Sequence, residues 1–362
     1  MTDLSPLPPG TRIGILGGGQ LGRMLSLAAS QLGMRTHIFC PDTESPAFEV
    51  TPHKTVASYD DEAALEAFAR EVDVVTYEFE NVPLGTAAAL EKHVPVFPGP
   101  KALAVSQDRL AEKAFLTGAG VPVAPHKAVT TRESLDAAIA EVGLPAVLKT
   151  TRLGYDGKGQ RILRTPADAD PAFAEIGGVD LVLEAFIPFE REVSVIVARG
   201  KDGSCVTYDV AENVHKNHIL KTSTLPAALD AATARAAADA AKTIAAALGY
   251  VGVMGVEFFV VENGGRSTLL VNEIAPRVHN SGHWTQAVCV TDQFENHIRA
   301  ICGWPLGDTT RFADVVMENL IGDEIHAVAE TLAPAAQPHV YGKTEARPGR
   351  KMGHVNRVTP KK

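Results

Sequence analysis

The sequence predicts a multi-domain protein of mixed α/β and α+β class, and three observations support this prediction. Strands and helices alternate over the first hundred residues, as they do in a parallel sheet covered by helices. A stretch rich in proline and glycine, residues 95–102, then interrupts the alternation and is typical of a domain boundary. The chain has 362 residues, which at about 150 residues per domain is enough for two or three domains.

The N-terminal elements are short apolar runs separated by helical patterns. The first predicted helix is preceded by a glycine turn and ends at Gly33, because glycine is favoured just beyond a helix C-terminus. The predicted strands span residues 13–16, 36–40 and 73–77, and the predicted helices span residues 21–32 and 62–70.

The middle of the chain is predicted to contain a helix at 106–117, a strand ending at Lys149, and strands at 180–186 and 192–198. An alanine-rich helix at 229–248 is best interpreted as scaffold, because alanine favours helix and has no reactive group. Strands at 251–261 and 268–274 flank Gly264 and Gly265 and form the strongest hairpin signal. The last sixty residues form a small third unit, so the predicted domains span 1–100, 101–302 and 303–362.

Composition excludes several classes of protein. With 34 Lys and Arg against 43 Asp and Glu, the net charge of −9 argues against a nucleic-acid partner. A hydrophobic content of 45% excludes wholesale disorder, and no apolar run approaches the ~20 residues of a membrane span. The N-terminus does not resemble a signal peptide, so a soluble cytoplasmic protein is expected. Four widely spaced cysteines are predicted to be buried thiols: Cys40, Cys205, Cys289 and Cys302.

A glycine-rich turn follows the first predicted strand. Gly17, Gly19 and Gly22 fit the G-x-G-x-x-G pattern of dinucleotide-binding proteins, and Asp42 lies 20 residues beyond Gly22. The N-terminus of the helix that follows favours an anion through its free amides and its dipole. This pattern alone leaves three alternatives open: NAD, the phosphate of a substrate, or a tight turn that binds nothing.

Two acidic residues are predicted to face each other across the hairpin. Glu257 and Glu273 are equally distant from Gly265, so a turn that pivots there makes them cross-strand neighbours on one face. Like charges at such positions destabilise a sheet unless a cation lies between them. Oxygen ligands suit Mg²⁺, which takes further ligands from substrate phosphates, and Asn272 would supply one more oxygen. The alternative is a register shifted by one residue, which would send the two acids to opposite faces.

Lys149 and a glycine-rich loop at 154–160 add a second signal. The lysine lies at the end of a strand, and the loop has three glycines and a lysine that suit a flap over phosphates. A lysine, a flap and an acidic pair together are typical of a nucleoside triphosphate with Mg²⁺. The spacing does not match the P-loop pattern.

These residues together resemble the ATP-grasp superfamily, and within it the family of 5-(carboxyamino)imidazole ribonucleotide synthases. The resemblance extends over almost the whole chain, and its most specific string is NEIAPRVHNSGHWT at 272–285. The other matching strings are ILGGGQLGRML at 15–25, TYEFENV at 76–82, GYDGKGQ at 154–160, GYVGVMGVEFFV at 249–260 and RPGRKMGH at 347–354.

The resemblance implies an ATP-grasp fold with an N-terminal Rossmann-like domain and a small C-terminal domain. It also implies a ligase of purine biosynthesis that uses ATP to activate bicarbonate as carboxyphosphate. The carboxyl group then passes to the amine of 5-aminoimidazole ribonucleotide, leaving ADP and phosphate. A homodimer is the assembly that the resemblance implies, with small-molecule substrates and no nucleic acid or membrane partner.

The resemblance also implies the roles of individual residues. The implied ATP contacts are Arg109, Lys149, the flap (Gly154, Tyr155, Asp156, Gly157, Lys158, Gly159, Gln160), Glu184, Ala185, Phe186, Ile187, Glu192, His215, Asn272 and Glu273. Mg²⁺ is expected on Glu257 and Glu273. The implied catalytic residues are Asp156, Lys158, Arg277 and His279. The implied substrate contacts are Gly19, Gln20, Leu21, Glu78, Asn81, Lys343, Arg350 and Lys351.

Three alternatives to this ligase remain at the level of sequence. A formate-using transformylase of the same superfamily would also bind ATP. An NAD-dependent oxidoreductase would use the glycine fingerprint, but it leaves Lys149, the flap and the acidic pair without a role. A non-catalytic ATP sensor is the third alternative, and it leaves the substrate positions unexplained.

Overall fold

The computed structural model describes residues 5–154 and 158–361, with only the backbone of Asn263. The N-terminal sheet has four parallel strands in the order β3-β2-β1-β4, which confirms the predicted parallel sheet. Its strands and helices are β1 (Arg12–Leu16), α1 (Gln20–Gln31), β2 (Arg35–Cys40), β3 (His53–Val56), α2 (Glu62–Ala69), β4 (Val74–Tyr77) and α3 (Leu84–Glu91).

The second sheet has four antiparallel strands in the order β5-β8-β6-β7, and it carries Lys149 on β6. Its elements and the two helices before them are α4 (Pro100–Ser106), α5 (Arg109–Gly118), β5 (His126–Val129), α6 (Arg132–Val142), β6 (Ala146–Thr150), β7 (Gln160–Leu163), α7 (Ala169–Ile176) and β8 (Leu181–Ala185).

The predicted helix at 106–117 is wrong at its start. Ser106 ends α4, and α5 begins only at Arg109. The Asp108 side chain accepts hydrogen bonds from the amides of Leu110 and Ala111 and so starts a new helix. Because of this break, Arg109 is the first residue of α5 and lies on the helix face that carries Glu112 and Lys113.

The third sheet is the largest and has nine strands, in the order β14-β13-β9-β11-β12-β15-β17-β16 with β10 on β9. The strand at 313–321 pairs with β12, the strand at 351–360 pairs with it in turn, and the strand at 336–340 pairs with the latter, so the C-terminal unit extends this sheet. The elements are β9 (Arg191–Arg199), β10 (Cys205–Thr207), β11 (Ala211–Lys216), β12 (Ile219–Leu225), α8 (Ala231–Leu248), β13 (Gly252–Asn263), β14 (Arg266–Ala275), α9 (Thr285–Val288), α10 (Gln293–Cys302), β15 (Ala313–Ile321), α11 (Val328–Thr331), β16 (Ala336–Val340) and β17 (Lys351–Pro360). Short 3₁₀ helices span Pro46–Glu49, Pro166–Asp168, Asn280–Gly282 and Gly322–Ala327.

The cores join these layers. One cluster links the N-terminal domain to the large sheet through residues such as Leu25, Trp284 and Ile298, which are fully or almost fully buried. All four cysteines are free thiols; Cys40 and Cys302 are buried as predicted, whereas Cys205 and Cys289 are only half-buried. Among the described residues, no helix is both long and apolar enough to span a bilayer.

Candidate active site

The β13–β14 hairpin brings the two predicted acids together by a route that the sequence did not reveal. Its turn consists of Gly264 and Gly265, both with positive φ, and Asn263 pairs with Arg266. This register would place Asn272 opposite Glu257. The predicted pivot at Gly265 is therefore wrong by half a residue.

A β-bulge restores the predicted pair. Phe258 pairs with Val271, but the next pair is Glu257 with Glu273, so Asn272 is an extra residue on β14. Since residues directly opposite share a face, the two acids lie side by side. The cross-strand pairing of the acids is thus confirmed.

Helix α5 presents three ionisable side chains toward this region: Arg109, Glu112 and Lys113. Arg109 Nη1 lies 3.7 Å from Glu273 Oε2, and its Nη2 donates to the Gly154 carbonyl at 3.0 Å. Glu112 is buried, and its Oε1 accepts a 2.6 Å hydrogen bond from the Ile274 amide. Burial and the nearby Glu273 charge raise the pKa of Glu112 to about 8.

A buried charge cluster lies on the adjacent sheet. Lys149 Nζ donates to Glu184 Oε2 at 3.0 Å, and Lys113 Nζ lies 3.3 Å from Glu184 Oε1. Burial alone would raise the pKa of Glu184, but the two ammonium groups lower it to about 2. Burial also lowers the pKa of Lys149. The carboxylate thus holds two cations in fixed positions.

Glu257 also faces the pair formed by Glu192 and His215. Glu192 Oε2 lies 2.7 Å from His215 Nδ1, and this partner raises the histidine pKa although burial opposes it. Burial and the charge of Glu273 raise the pKa of Glu257 itself to about 7. A cation at the acidic pair would relieve this repulsion.

A chain of buried hydrogen bonds sets the protonation of His279. Asn213 Nδ2 donates to Ser194, Ser194 donates to Ser281, and Ser281 Oγ lies 2.9 Å from His279 Nδ1. The Ser281 backbone amide, which can only donate, also faces Nδ1 at 3.4 Å. The histidine proton is therefore on Nε2, 3.4 Å from Glu257 Oε1. Burial lowers the pKa of His279 well below its usual range, so the ring is neutral.

Arg277 connects the large sheet to the N-terminal domain. Its Nε and Nη2 donate to the two carboxylate oxygens of Glu80, the latter at 3.0 Å. Such a bidentate pair fixes the plane of the guanidinium. The buried Tyr77 hydroxyl has no hydrogen-bond partner among the described residues. Burial raises the pKa of this hydroxyl well above its usual range, and Glu80 adds to the rise while Arg277 opposes it.

The glycine turn binds an anion that belongs to the chain itself. The buried carboxylate of Glu78, just beyond β4, accepts hydrogen bonds from the amides of Gly19 and Gly22, the latter at 2.7 Å. Gly17 has φ of +107°, and a side chain there would collide with Glu78. The glycines thus allow the close approach of Glu78. The amides of Gln20 and Leu21 in the first helical turn have no acceptor within the helix.

A cavity of about 340 Å³ lies beside this turn. Lys343 and Arg350 line it from the C-terminal unit, and burial together with Arg350 lowers the pKa of Lys343 to about 8. Three predicted substrate contacts are not among its lining residues: Leu21 is buried, Asn81 is exposed, and Lys351 has electrostatic contact with Glu257 and His279. The cavity lining is Gly17, Gly18, Gly19, Gln20, Cys40, Pro41, Asp42, Glu44, Ser45, Pro46, Tyr59, Glu78, Phe79, Lys343 and Arg350.

The predicted flap is only partly described. Tyr155, Asp156 and Gly157 lie outside the described residues, so the position of the Asp156 carboxylate stays a prediction. Lys158 is exposed, and Gln160 begins β7. At the predicted adenine segment, the amides of Ala185 and Phe186 donate to the carbonyls of Pro125 and Pro145, the Phe186 side chain is exposed, and Ile187 is half-buried.

Sequence reasoning missed Glu80, Glu112 and Lys113. Helical spacing could have found the last two, because positions i+3 and i+4 from Arg109 share its face. Glu80 lies in the bend that follows β4, where no periodic pattern marks it. The hydrogen-bond chain through Ser194 and Asn213 had no sequence signal.

The chain matches three families of domains along its length. The ribonucleotide synthetase preATP-grasp domain matches residues 11–107, and the ATP-grasp domain matches residues 114–294. The phosphoribosylaminoimidazole carboxylase C-terminal domain matches residues 315–362.

Similar proteins cover almost the whole chain. The N5-carboxyaminoimidazole ribonucleotide synthase of Brucella melitensis is 52% identical over 362 residues, covering 99% of both chains. The ADP complex of an N5-carboxyaminoimidazole ribonucleotide synthetase is 45% identical with a TM-score of 0.94, covering 98% of this chain and 94% of that one. The Aspergillus clavatus enzyme in complex with ADP and 5-aminoimidazole ribonucleotide is 31% identical with a TM-score of 0.91, covering 97% and 94%.

Proposed function

Because this chain belongs to the family of N5-carboxyaminoimidazole ribonucleotide synthases, we propose that it is an ATP-dependent carboxylating ligase of purine biosynthesis. ATP and bicarbonate would react to carboxyphosphate, and the carboxyl group would pass to 5-aminoimidazole ribonucleotide, with ADP and phosphate as the other products. The observation that carries this proposal is the opposed pair Glu257 and Glu273 beside Arg109, with Lys149 as a second cation on the adjacent sheet. An oxidoreductase has no use for this arrangement.

Mg²⁺ is the cation that fits the acidic pair. Two carboxylates opposed in a sheet, one with a pKa raised to about 7, form an oxygen donor set that a hard divalent ion stabilises. Asn272, the extra residue of the bulge, would add its amide oxygen. The remaining ligands would come from substrate phosphates, because Mg²⁺ is commonly held by one or two carboxylates together with phosphate oxygens. Bound there, the ion would offset the charge on the transferring phosphoryl group.

The side chains around this pair would bind ATP. Lys149 and Arg109 carry positive charge toward the phosphates, and Lys158 would close over them with the flap. Glu192 and His215 hold each other in place near Glu257, where they would contact ATP. The adenine would lie against the segment from Glu184 to Ile187.

The carboxylation step would take place between the two ends of the site, which are the acidic pair on the β13–β14 hairpin and the cavity beside the glycine turn. The amine nitrogen attacks the carboxyl carbon, the bond from that carbon to the phosphate oxygen breaks, and phosphate leaves. Asp156 would accept the amine proton, while Arg277, held by Glu80, stabilises negative charge on the carboxyl oxygens. His279 would orient the carboxyl group through its Nε2 proton. Lys343 and Arg350 would bind the ribonucleotide phosphate in the 340 Å³ cavity.

The cellular context and the assembly remain expectations from the sequence. A cytoplasmic location is expected from the composition and the N-terminal residues, and a homodimeric state is what the resemblance implies. Sedimentation velocity would test the dimer directly, with a single species of twice the 38.3 kDa chain mass as the expected result.

The activity itself is tested by ADP release with bicarbonate, with and without 5-aminoimidazole ribonucleotide. We expect ADP release to depend on Mg²⁺ and bicarbonate and to be stimulated by the ribonucleotide. Formate in place of bicarbonate should give no product. The Glu273→Gln variant should lose metal-dependent turnover, and full activity in this variant would remove the proposal.

A further inference from the structure

The bulge next to the acidic pair lies on an edge strand. β14 is the outermost strand of the large sheet, so the amides on its outer side have no strand to pair with. A buried amide without an acceptor costs free energy, so each outward amide needs a partner from elsewhere in the chain. Two such partners flank the bulge.

The spacing of the two outward-facing amides shows the effect of the bulge. The Val271 amide donates to the Pro122 carbonyl at 2.8 Å, and the Ile274 amide donates to Glu112 Oε1 at 2.6 Å. In a regular strand, amides on one side are an even number of residues apart, because the backbone alternates with period two. Here they are three residues apart, so the bulge at Asn272 has turned the Ile274 amide outward.

The outward direction of the Ile274 amide and the pairing of Glu257 with Glu273 both require the bulge. Without the bulge, Asn272 would oppose Glu257, and Glu273 would point to the other face of the sheet. In that regular register, the Ile274 amide would face β13 and would not need Glu112. The Glu112 hydrogen bond is therefore available only to the bulged register.

We propose that Glu112 is a positioning residue that holds β14 in the bulged register and so keeps Glu273 opposite Glu257. This inference rests on the proposed function, because its consequence for activity runs through the metal that the two acids would bind. The role of Glu112 is that of a hydrogen-bond acceptor, and its side chain does not touch the substrates.

The helix that carries Glu112 is anchored on both sides of it. Leu116, one turn further on the same face, is completely buried. Lys113 is 2% exposed and lies 3.3 Å from Glu184 Oε1, while Arg109 contacts Glu273. The acceptor is thus fixed by packing and by charge on a rigid element, as a positioning group must be.

Three variants separate the acceptor from its alternatives. Glu112→Met keeps the length of the side chain but removes the acceptor. Glu112→Gln keeps an oxygen acceptor but cannot ionise. Leu116→Ala disturbs the core that this helix shares with Val271 and Ile274 but keeps the Glu112 acceptor, and so serves as the matched control for a merely structural effect.

The experiment measures Mn²⁺ binding by electron paramagnetic resonance, with ADP present, and hydrogen exchange at the Ile274 amide. We expect Glu112→Met to weaken Mn²⁺ binding about tenfold or more and to accelerate exchange at Ile274. Glu112→Gln and Leu116→Ala should stay within about threefold of the wild-type affinity, because a loss of outer support at a metal site typically costs tenfold or more.

Two results would overturn the proposal. One is a folded Glu112→Met protein with wild-type Mn²⁺ affinity and wild-type exchange at Ile274. The other is a Glu112→Gln protein that binds Mn²⁺ as weakly as Glu112→Met, which would assign the effect to charge. A wild-type protein that binds no Mn²⁺ would instead contradict the proposed metal site, and exchange at Ile274 would then decide the role of Glu112 by itself.

Discussion

The two ends of the site hold their carboxylates in opposite ways. At the hairpin, Glu257 and Glu273 are opposed acids, with His279 3.4 Å from Glu257 and Arg109 3.7 Å from Glu273. At the glycine turn, the single carboxylate of Glu78 is satisfied by two backbone amides. A cation bound at the hairpin would reduce the repulsion between its two acids, whereas the carboxylate of Glu78 already has its hydrogen-bond donors within the chain.

This difference shows what each end can bind. The hairpin has excess negative charge and suits a divalent cation that bridges to a triphosphate. The cavity at the turn is lined by Lys343 and Arg350, and these cations face a helix N-terminus, so it suits a phosphate. A glycine-rich turn by itself therefore does not identify a cofactor, because its glycines can serve an internal carboxylate.

Removing charge at the hairpin should have the largest effect. We expect Glu257→Gln to lower kcat about 100- to 1,000-fold, because the charge that develops on the transferring phosphoryl group would lose its support. The KM for the ribonucleotide should change little, since that substrate binds at the other end. Steady-state kinetics at saturating Mg²⁺ measures both. Glu262→Gln, an exposed acid on the same strand, is the control, and an equal loss in that variant would contradict the contrast between the two ends.

The second largest effect should be on stability as a function of pH, without metal. The pKa of Glu257 is raised from 4.5 to about 7 in the folded protein, so its contribution to stability is complete below pH 4.5 and is lost as the pH rises through 7. Relative to Glu257→Gln, the wild type should lose roughly 3 kcal/mol of unfolding free energy over this range. Urea unfolding at several pH values measures the difference, and parallel curves for the two proteins would refute it.

A smaller effect is expected at the phosphate end. Lys343→Met should raise the KM for the ribonucleotide about tenfold, since a hydrogen bond to a charged group is worth about 1.5 kcal/mol or more. ADP release that does not depend on the ribonucleotide should be unchanged. Lys92→Met, at an exposed position of the N-terminal domain, is the control. A loss of nucleotide binding in Lys343→Met would mean that the two ends are not separate.

Much of the fold could be predicted from the periodicity of apolar residues and from the glycines at turns. Strands β1, β2 and β4, helix α8 and the hairpin strands were predicted within two or three residues, because short apolar runs and Gly264-Gly265 mark them locally, whereas the edge strand β3 was not predicted. The start of α5 was missed because its signal, a cap at Asp108, is weaker than the apolar pattern that runs through it. Polar strands such as β11 and β16 lacked a clear alternating pattern and were not predicted.

The sequence by itself determined which residue types the site needs: two acids at hairpin spacing, lysines, and glycines at turns. Only the tertiary structure decided the partners, because these depend on contacts between distant segments. It placed Glu112 at the Ile274 amide, Glu80 on Arg277, and the carboxylate of Glu78 at the amides of the glycine turn. The register of the hairpin shows the physical reason. Counting residues from a turn cannot reveal a bulge, since the bulge exists only where another element accepts the amide that it turns outward.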